Sequence, residues 1–302
     1  MGGIAFVFSG QGDQFPGMGK QIAEQFPAAA AFMEFCDRLR PGTSRQCFAG
    51  TEEELRQTEN TQPCLYAVEM AAAEALASLG IRPDAAAGFS LGETAACVSA
   101  GAMDPENSFR LICERGRLMQ KASDACGTFM AAVLKLDEEE LGKICADIQD
   151  VYPVNFNCPG QITVSGRKDR LAPLSEAVRA AGGRVMPLKV SGAFHSPFMN
   201  TAAEEFRKEL DRISFSKPVI PVYSNVTAEP YENDFPELLG KQICSPVRWE
   251  QLIRNMIAAG ISTFIEIGPG KTLCGLIRKT DRSVRTLAVC DMEELVKEVH
   301  AC

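Results

Sequence analysis

Residues 85–92 read Ala85-Ala86-Ala87-Gly88-Phe89-Ser90-Leu91-Gly92. The run from Ala85 to Phe89 reads as a buried strand, and the stretch from Leu91 to about Ala100 as a helix. A G-x-S-x-G pentad between a strand and a helix makes a tight turn at the top of a sheet. The glycines let the backbone bend and a substrate approach, and the serine hydroxyl projects. The plainer reading is a helix N-cap serine among turn glycines. Strand, turn and helix in this order belong to a parallel sheet covered by helices, so the rest of the chain should alternate in the same way.

It does. Ile4 to Phe8 reads as a first buried strand that breaks into the loop Ser9-Gly10-Gln11-Gly12-Asp13. Helical patterns lie near Lys20 to Phe35 and from Gln62 to Leu79, the latter closed by Gly80 with Pro83 beyond. Another helix, Pro105 to about Ala122, opens on Asp104 as N-cap. The middle changes rhythm: strand Phe129 to Leu136, helix Asp137 to Ile148, strands Val151 to Phe156 and Ile162 to Ser165, helix Lys168 to Ala181, strand Val185 to Val190. That β-α-β-β-α-β order is the split pattern of a ferredoxin-like unit. Strands then resume at Val219 to Tyr223, Thr263 to Ile267 and Thr286 to Val289. The expectation is an α/β fold in which residues 1–125 and 192–302 form a larger, mainly parallel domain. Residues 126–191 would be an inserted small domain, with the active site in the cleft between them.

Composition narrows the chemistry. The 302 residues carry a formal charge of -8, which argues against a protein that coats nucleic acid or an anionic membrane. No apolar run approaches the roughly 18 residues that span a bilayer. The amino terminus has no basic, apolar, small-residue export pattern, so the expected compartment is the cytoplasm. Twelve cysteines are scattered singly with no C-x-x-C pair, which reads as reduced thiols packed as small hydrophobes and as no metal site.

Ser90 needs a base, because a serine hydroxyl is a poor nucleophile until its proton is taken. Only two histidines exist, and His300 lies within the last three residues. His195, in the loop Ser191-Gly192-Ala193-Phe194-His195-Ser196-Pro197, is therefore the candidate base. A lone histidine is usually structural; pairing with Ser90 changes that weighing. An oxyanion needs two backbone N–H groups, and Leu91, first after the nucleophile, and Gln11, in the first loop, can supply them. Gly10-Gln11-Gly12 continues as Asp13-Gln14-Phe15 without the third glycine of a dinucleotide fingerprint, which argues against a nucleotide cofactor.

Taken together these motifs resemble the malonyl-CoA:acyl carrier protein transacylases. The segments are Phe8 to Gln14, Gly88 to Glu93, Arg115-Gly116-Arg117-Leu118-Met119-Gln120, Pro153 to Gln161, Ala193-Phe194-His195, Ser245-Pro246-Val247-Arg248-Trp249 and Glu266 to Lys271. The resemblance implies an α/β-hydrolase-like large domain with a ferredoxin-like insertion. It implies an acyltransferase that moves malonyl from malonyl-CoA to the phosphopantetheine thiol of an acyl carrier protein, in fatty-acid or polyketide synthesis, without a metal or other cofactor. It assigns Arg115 to the malonyl carboxylate, which a planar guanidinium grips through two parallel hydrogen bonds. It assigns the orientation of His195 to the backbone carbonyl of Arg248, a dyad rather than a triad. It also makes Phe194, beside the histidine, a selector against branched acyl groups. Phe89 stands where the family has histidine, and Asp13 where it has serine. A basic rim of Arg278, Lys279, Arg282 and Arg285 is expected to meet the acidic partners, and a monomer is the expected state.

Overall fold

The computed structural model describes residues 2–190 and 192–300. Its strands fall into two sheets. The larger is built from β1 (Gly3–Phe8), β2 (Ala85–Gly88), β7 (Val222–Tyr223), β8 (Ile261–Ile267) and β9 (Arg285–Ala288), in the order β7-β2-β1-β8-β9 with every pairing parallel. The smaller contains β3 (Thr128–Leu134), β4 (Val151–Cys158), β5 (Gln161–Arg167) and β6 (Arg184–Pro187), in the antiparallel order β4-β5-β3-β6. Numbered within that unit the strands lie 2-3-1-4, the arrangement expected of a ferredoxin-like insert.

Burial explains why the larger sheet is parallel. β2 is only alanine and glycine and is buried throughout, so helices can cover both faces closely. The helix Thr58–Ser78 is buried on nearly all sides and forms the spine of the main core with Phe6, Phe8, Phe109 and Leu118. The small unit has its own core of Phe129, Val133, Leu141, Val164, Leu174 and Val178.

Its edge strand β4 is not left open. Val247 N donates to Val154 O and Phe156 N to Val247 O, both at 2.9 Å, and this short bridge pins the small sheet to the larger unit. Lys279 Nζ adds a bond to Gln161 Oε1 at 3.0 Å.

Several elements differ from the sequence expectation, and three of them are broken or shortened next to a proline. The helix near Lys20 splits into Lys20–Gln25 and Pro27–Leu39, since Phe26 is forced extended (φ -122°) by the following Pro27. The strand expected from Val219 shrinks to Val222–Tyr223, because Pro218 and Pro221 lack ladder donors. β6 stops at Pro187 instead of reaching Val190.

Candidate active site

Ser90 sits between β2 and the helix Gly92–Ser99 with φ 56°, in the left-handed region that an L-residue adopts only under compulsion. The compulsion is packing. A Cβ on Gly88 would lie 1.9 Å from the Gly92 carbonyl carbon, and one on Gly92 would lie 2.5 Å from Ser9 O. The two glycines therefore serve backbone against backbone, not substrate approach. Ser90 N donates to Asn225 Oδ1 at 2.7 Å, and Asn225 Nδ2 donates to Gly88 O at 2.6 Å, so one asparagine clamps both ends of the turn.

His195 also has a left-handed backbone (φ 61°) and is 4 % exposed. Its Nε2 lies 2.8 Å from Ser90 Oγ. Its Nδ1 lies 2.8 Å from the backbone oxygen of Gln242. A carbonyl only accepts, so Nδ1 carries the proton and Nε2 presents its lone pair to the serine hydroxyl. Burial pushes the imidazole down to about 4, the Arg115 charge acts in the same sense, and the hydrogen bonds with the Gln242 and Ser245 backbone oppose them. Neutral imidazole is what a general base requires.

The orienting carbonyl is thus that of Gln242, a correction to the expectation for Arg248. Arg248 is exposed, and its carbonyl accepts from Leu252 N at 2.9 Å at the start of the helix Trp249–Ala258. Gln242 is the last residue of the helix Phe235–Gln242, where carbonyls lack intrahelical partners and the helix dipole is negative. A helix end is therefore well suited to hold an N–H that becomes part of an imidazolium.

Arg115 projects from the helix Pro105–Asp124 and is 1 % exposed. The neighbouring Gly116 makes this possible: a Cβ there would lie 2.9 Å from Thr58 O, so the two helices meet closely enough for Arg115 to reach Gln62. One terminal nitrogen of the guanidinium donates to Gln62 Oε1 at 2.8 Å; the other donates to Gln242 Oε1 at 2.7 Å and to Ser90 Oγ at 3.2 Å. Burial lowers its pKa to about 10, still cationic at neutral pH, and the charge of Glu93 opposes that shift. A surface ion pair with Glu106 or Glu114 is ruled out, because those acids bind Arg110 and Arg117.

Behind this trio lie residues that sequence reasoning did not assign. Glu93 is fully buried and accepts from Tyr231 OH, Gln242 Nε2 and Asn225 N. Its carboxyl is pushed up to about 7 by burial, against those hydrogen bonds and the Arg115 charge. Gln242 Nε2 also donates to Ser90 O at 2.7 Å. A charged residue in the otherwise small and apolar run Gly92-Glu93-Thr94-Ala95-Ala96 was the one available signal.

The other expected residues fall as follows. Neither the Gln11 nor the Leu91 amide has an acceptor among the described residues, while the Gln11 side chain is tied to Thr58 Oγ1 at 3.3 Å. Phe194 is buried in the main core. Ser191, beside it in the loop, lies outside the described residues. Arg278 is bound to Thr286 Oγ1 at 2.6 Å. Between the two sheets runs a cleft of about 220 Å³ walled by Gln11, Phe89, Asn155, Asn157 and Leu188. Neither this cleft nor a wider groove of about 750 Å³, between Phe15–Gln25 and the carboxyl-terminal helix, has Ser90 or His195 in its walls, although Phe89 and Gln11 bring the cleft to the edge of the dyad.

The acyl transferase domain family matches residues 5–299. Malonyl CoA-acyl carrier protein transacylase of Bacillus subtilis is 42 % identical over 303 residues, covering 98 % of this chain and 96 % of the relative. The polyketide biosynthesis malonyl CoA-acyl carrier protein transacylase PksC of the same organism is 38 % identical, covering 94 % and 99 %. Among solved structures, the malonyl CoA-acyl carrier protein transacylase of Clostridium perfringens superposes with a TM-score of 0.94 at 36 % identity, over 99 % of this chain and 96 % of that one. A type II polyketide synthase acyl-carrier protein in complex with its malonyl-transacylase gives 0.95 at 33 % identity, over 99 % and 100 %. The chain belongs to the acyl transferase domain family, alongside the malonyl CoA-acyl carrier protein transacylases.

Proposed function

We propose that this protein transfers malonyl from malonyl-CoA to the phosphopantetheine thiol of an acyl carrier protein, with Ser90 as nucleophile, His195 as base and Arg115 as carboxylate clamp. The observation that carries this reading is the buried Arg115 guanidinium 3.2 Å from the oxygen that becomes acylated. A fixed cation beside the nucleophile is costly unless the acyl group brings an anion to it.

In the first half-reaction Ser90 Oγ attacks the thioester carbon as His195 Nε2 takes its proton. The Gln11 and Leu91 amides hold the oxyanion, the C–S bond breaks, and the proton passes to the departing CoA sulfur. In the second, His195 takes the proton of the carrier's thiol, the sulfur attacks the malonyl ester, and the proton returns to Ser90. Each step is a proton transfer and an acyl transfer, so the chemistry asks for no metal or redox group.

The inter-sheet cleft, walled in part by Gln11, Asn155, Asn157 and Gln161, suits the pantetheine arm, whose amides need polar partners. We assign residues 1–125 and 192–302 to the catalytic domain and 126–191 to the insert. The working state is a cytoplasmic monomer; no described helix is long and apolar enough to cross a membrane.

Intact-protein mass measurement after mixing with malonyl-CoA tests the reading. One malonyl group should be retained on the wild type, lost in Ser90→Ala, and discharged by holo carrier protein. Discharge by water as fast as by carrier would make the protein a hydrolase instead.

A further inference from the structure

Resting on that reading, the buried polar network behind Ser90 leads to a residue that selects the acyl group without touching it. Gln242 has two separable functions. Its main-chain carbonyl holds His195, while its side-chain amide joins three groups: Nε2 donates to Ser90 O and to Glu93 Oε2, and Oε1 accepts from Arg115. The amide has one possible orientation, because Ser90 O and the carboxylate only accept and the guanidinium only donates. Glu93 is itself fixed by Tyr231 OH and Asn225 N on its other oxygen. Accepting on both oxygens at once is something an ionised carboxylate does and an amide cannot.

Glu93 and Arg115 share no direct ion pair. The Gln242 amide stands between them, so the carboxylate supports the guanidinium without occupying the face that an acyl carboxylate must take. Among the described residues, Gln62 Oε1 and Gln242 Oε1 are the acceptors that fix the direction of Arg115 apart from the nucleophile itself. We propose that the Gln242 side chain, backed by Glu93, is the positioning relay that aims Arg115 and thereby sets the preference for carboxylated over uncarboxylated acyl groups.

Because the main-chain carbonyl survives any substitution at position 242, selection and base function can be tested apart. Gln242→Met keeps length and charge but removes the acceptor. A hydrogen bond to a charged group is worth a factor of roughly 10 or more, so the ratio of malonyl to acetyl transfer should fall at least about tenfold, whatever loss the two activities share. In an Arg115→Ala background the same substitution should leave the ratio unmoved, since the relay then has nothing to aim. Should Gln242→Met yield no folded protein, Glu93→Gln is measured in its place with the same expectation. A packing role alone would lower both activities by one factor. An unchanged or widened ratio in the folded variant overturns the relay, whereas a wild type that transfers no malonyl overturns the underlying function.

Discussion

Two arms reach Ser90, and they are built differently. The loop carrying His195 is held by main-chain atoms: His195 N donates to Ile243 O at 3.1 Å and Nδ1 to Gln242 O at 2.8 Å. The helix carrying Arg115 delivers a cation whose direction depends on side-chain oxygens of Gln62 and Gln242. The first arm ends in a neutral base; the second ends in a cation which, on the proposed function, answers to a carboxylated acyl group. On the proposed function, proton transfer and recognition of the acyl carboxylate are thus divided between a backbone-anchored base and a side-chain-anchored cation.

The largest effect should come from removing what the arms share. Ser90→Ala should lower transfer on the order of 10⁶-fold, leaving only what the oxyanion amides and binding provide. Quenched-flow measurement of CoA release checks this, and acylation at any other residue would contradict the assignment. His195→Ala should slow acylation and discharge by similar large factors, because one base serves both directions. Slowing of discharge alone would mean that acylation uses another base.

Arg115→Ala should cost malonyl transfer about 2–5 kcal/mol, since it strands the malonyl carboxylate in a desolvated site. Acetyl transfer should fall far less or improve.

A smaller effect concerns pH. The imidazole is held at about 4 by burial first and by the Arg115 charge second. The acid limb of kcat/KM for acetyl-CoA should therefore lie well below pH 6.5 and move upward in Arg115→Ala. A limb that stays put would mean that the two arms do not sense each other. The same shift bears on stability: the unfolded histidine binds its proton near 6.5, so this group's contribution is complete above that pH and is lost as pH falls toward 4.

Smallest is the effect at Phe194. A methyl branch is worth about 1–3 kcal/mol, so malonyl-CoA should outcompete methylmalonyl-CoA by roughly 10–200-fold, and Phe194→Ser should narrow that ratio. The ring is buried in the main core. Loss of both activities and of stability at constant ratio would assign it to packing instead.

How much of this was readable in advance follows from how each feature is encoded. Ser90 and its turn were visible because strand, glycines and helix are local in sequence. The insert was visible because its element order is. Arg115 was visible only through the family motif, since nothing local distinguishes it from the neighbouring Arg110 and Arg117, which sit in ordinary surface pairs. Gln242 and Asn225 were not visible, because neutral amides carry no pattern and meet Ser90 across 152 and 135 residues. The misassignment to Arg248 has the same root: a main-chain carbonyl has no side-chain signature, and only the fold shows that the last carbonyl of the helix Phe235–Gln242 faces the imidazole.

The division between base and cation is tested most directly by single-turnover acylation of wild type, His195→Ala and Arg115→Ala with malonyl-CoA and acetyl-CoA in turn. The malonyl-to-acetyl rate ratio should survive His195→Ala, although both rates fall, and should collapse in Arg115→Ala. Ratios that move together in the two variants would contradict the division.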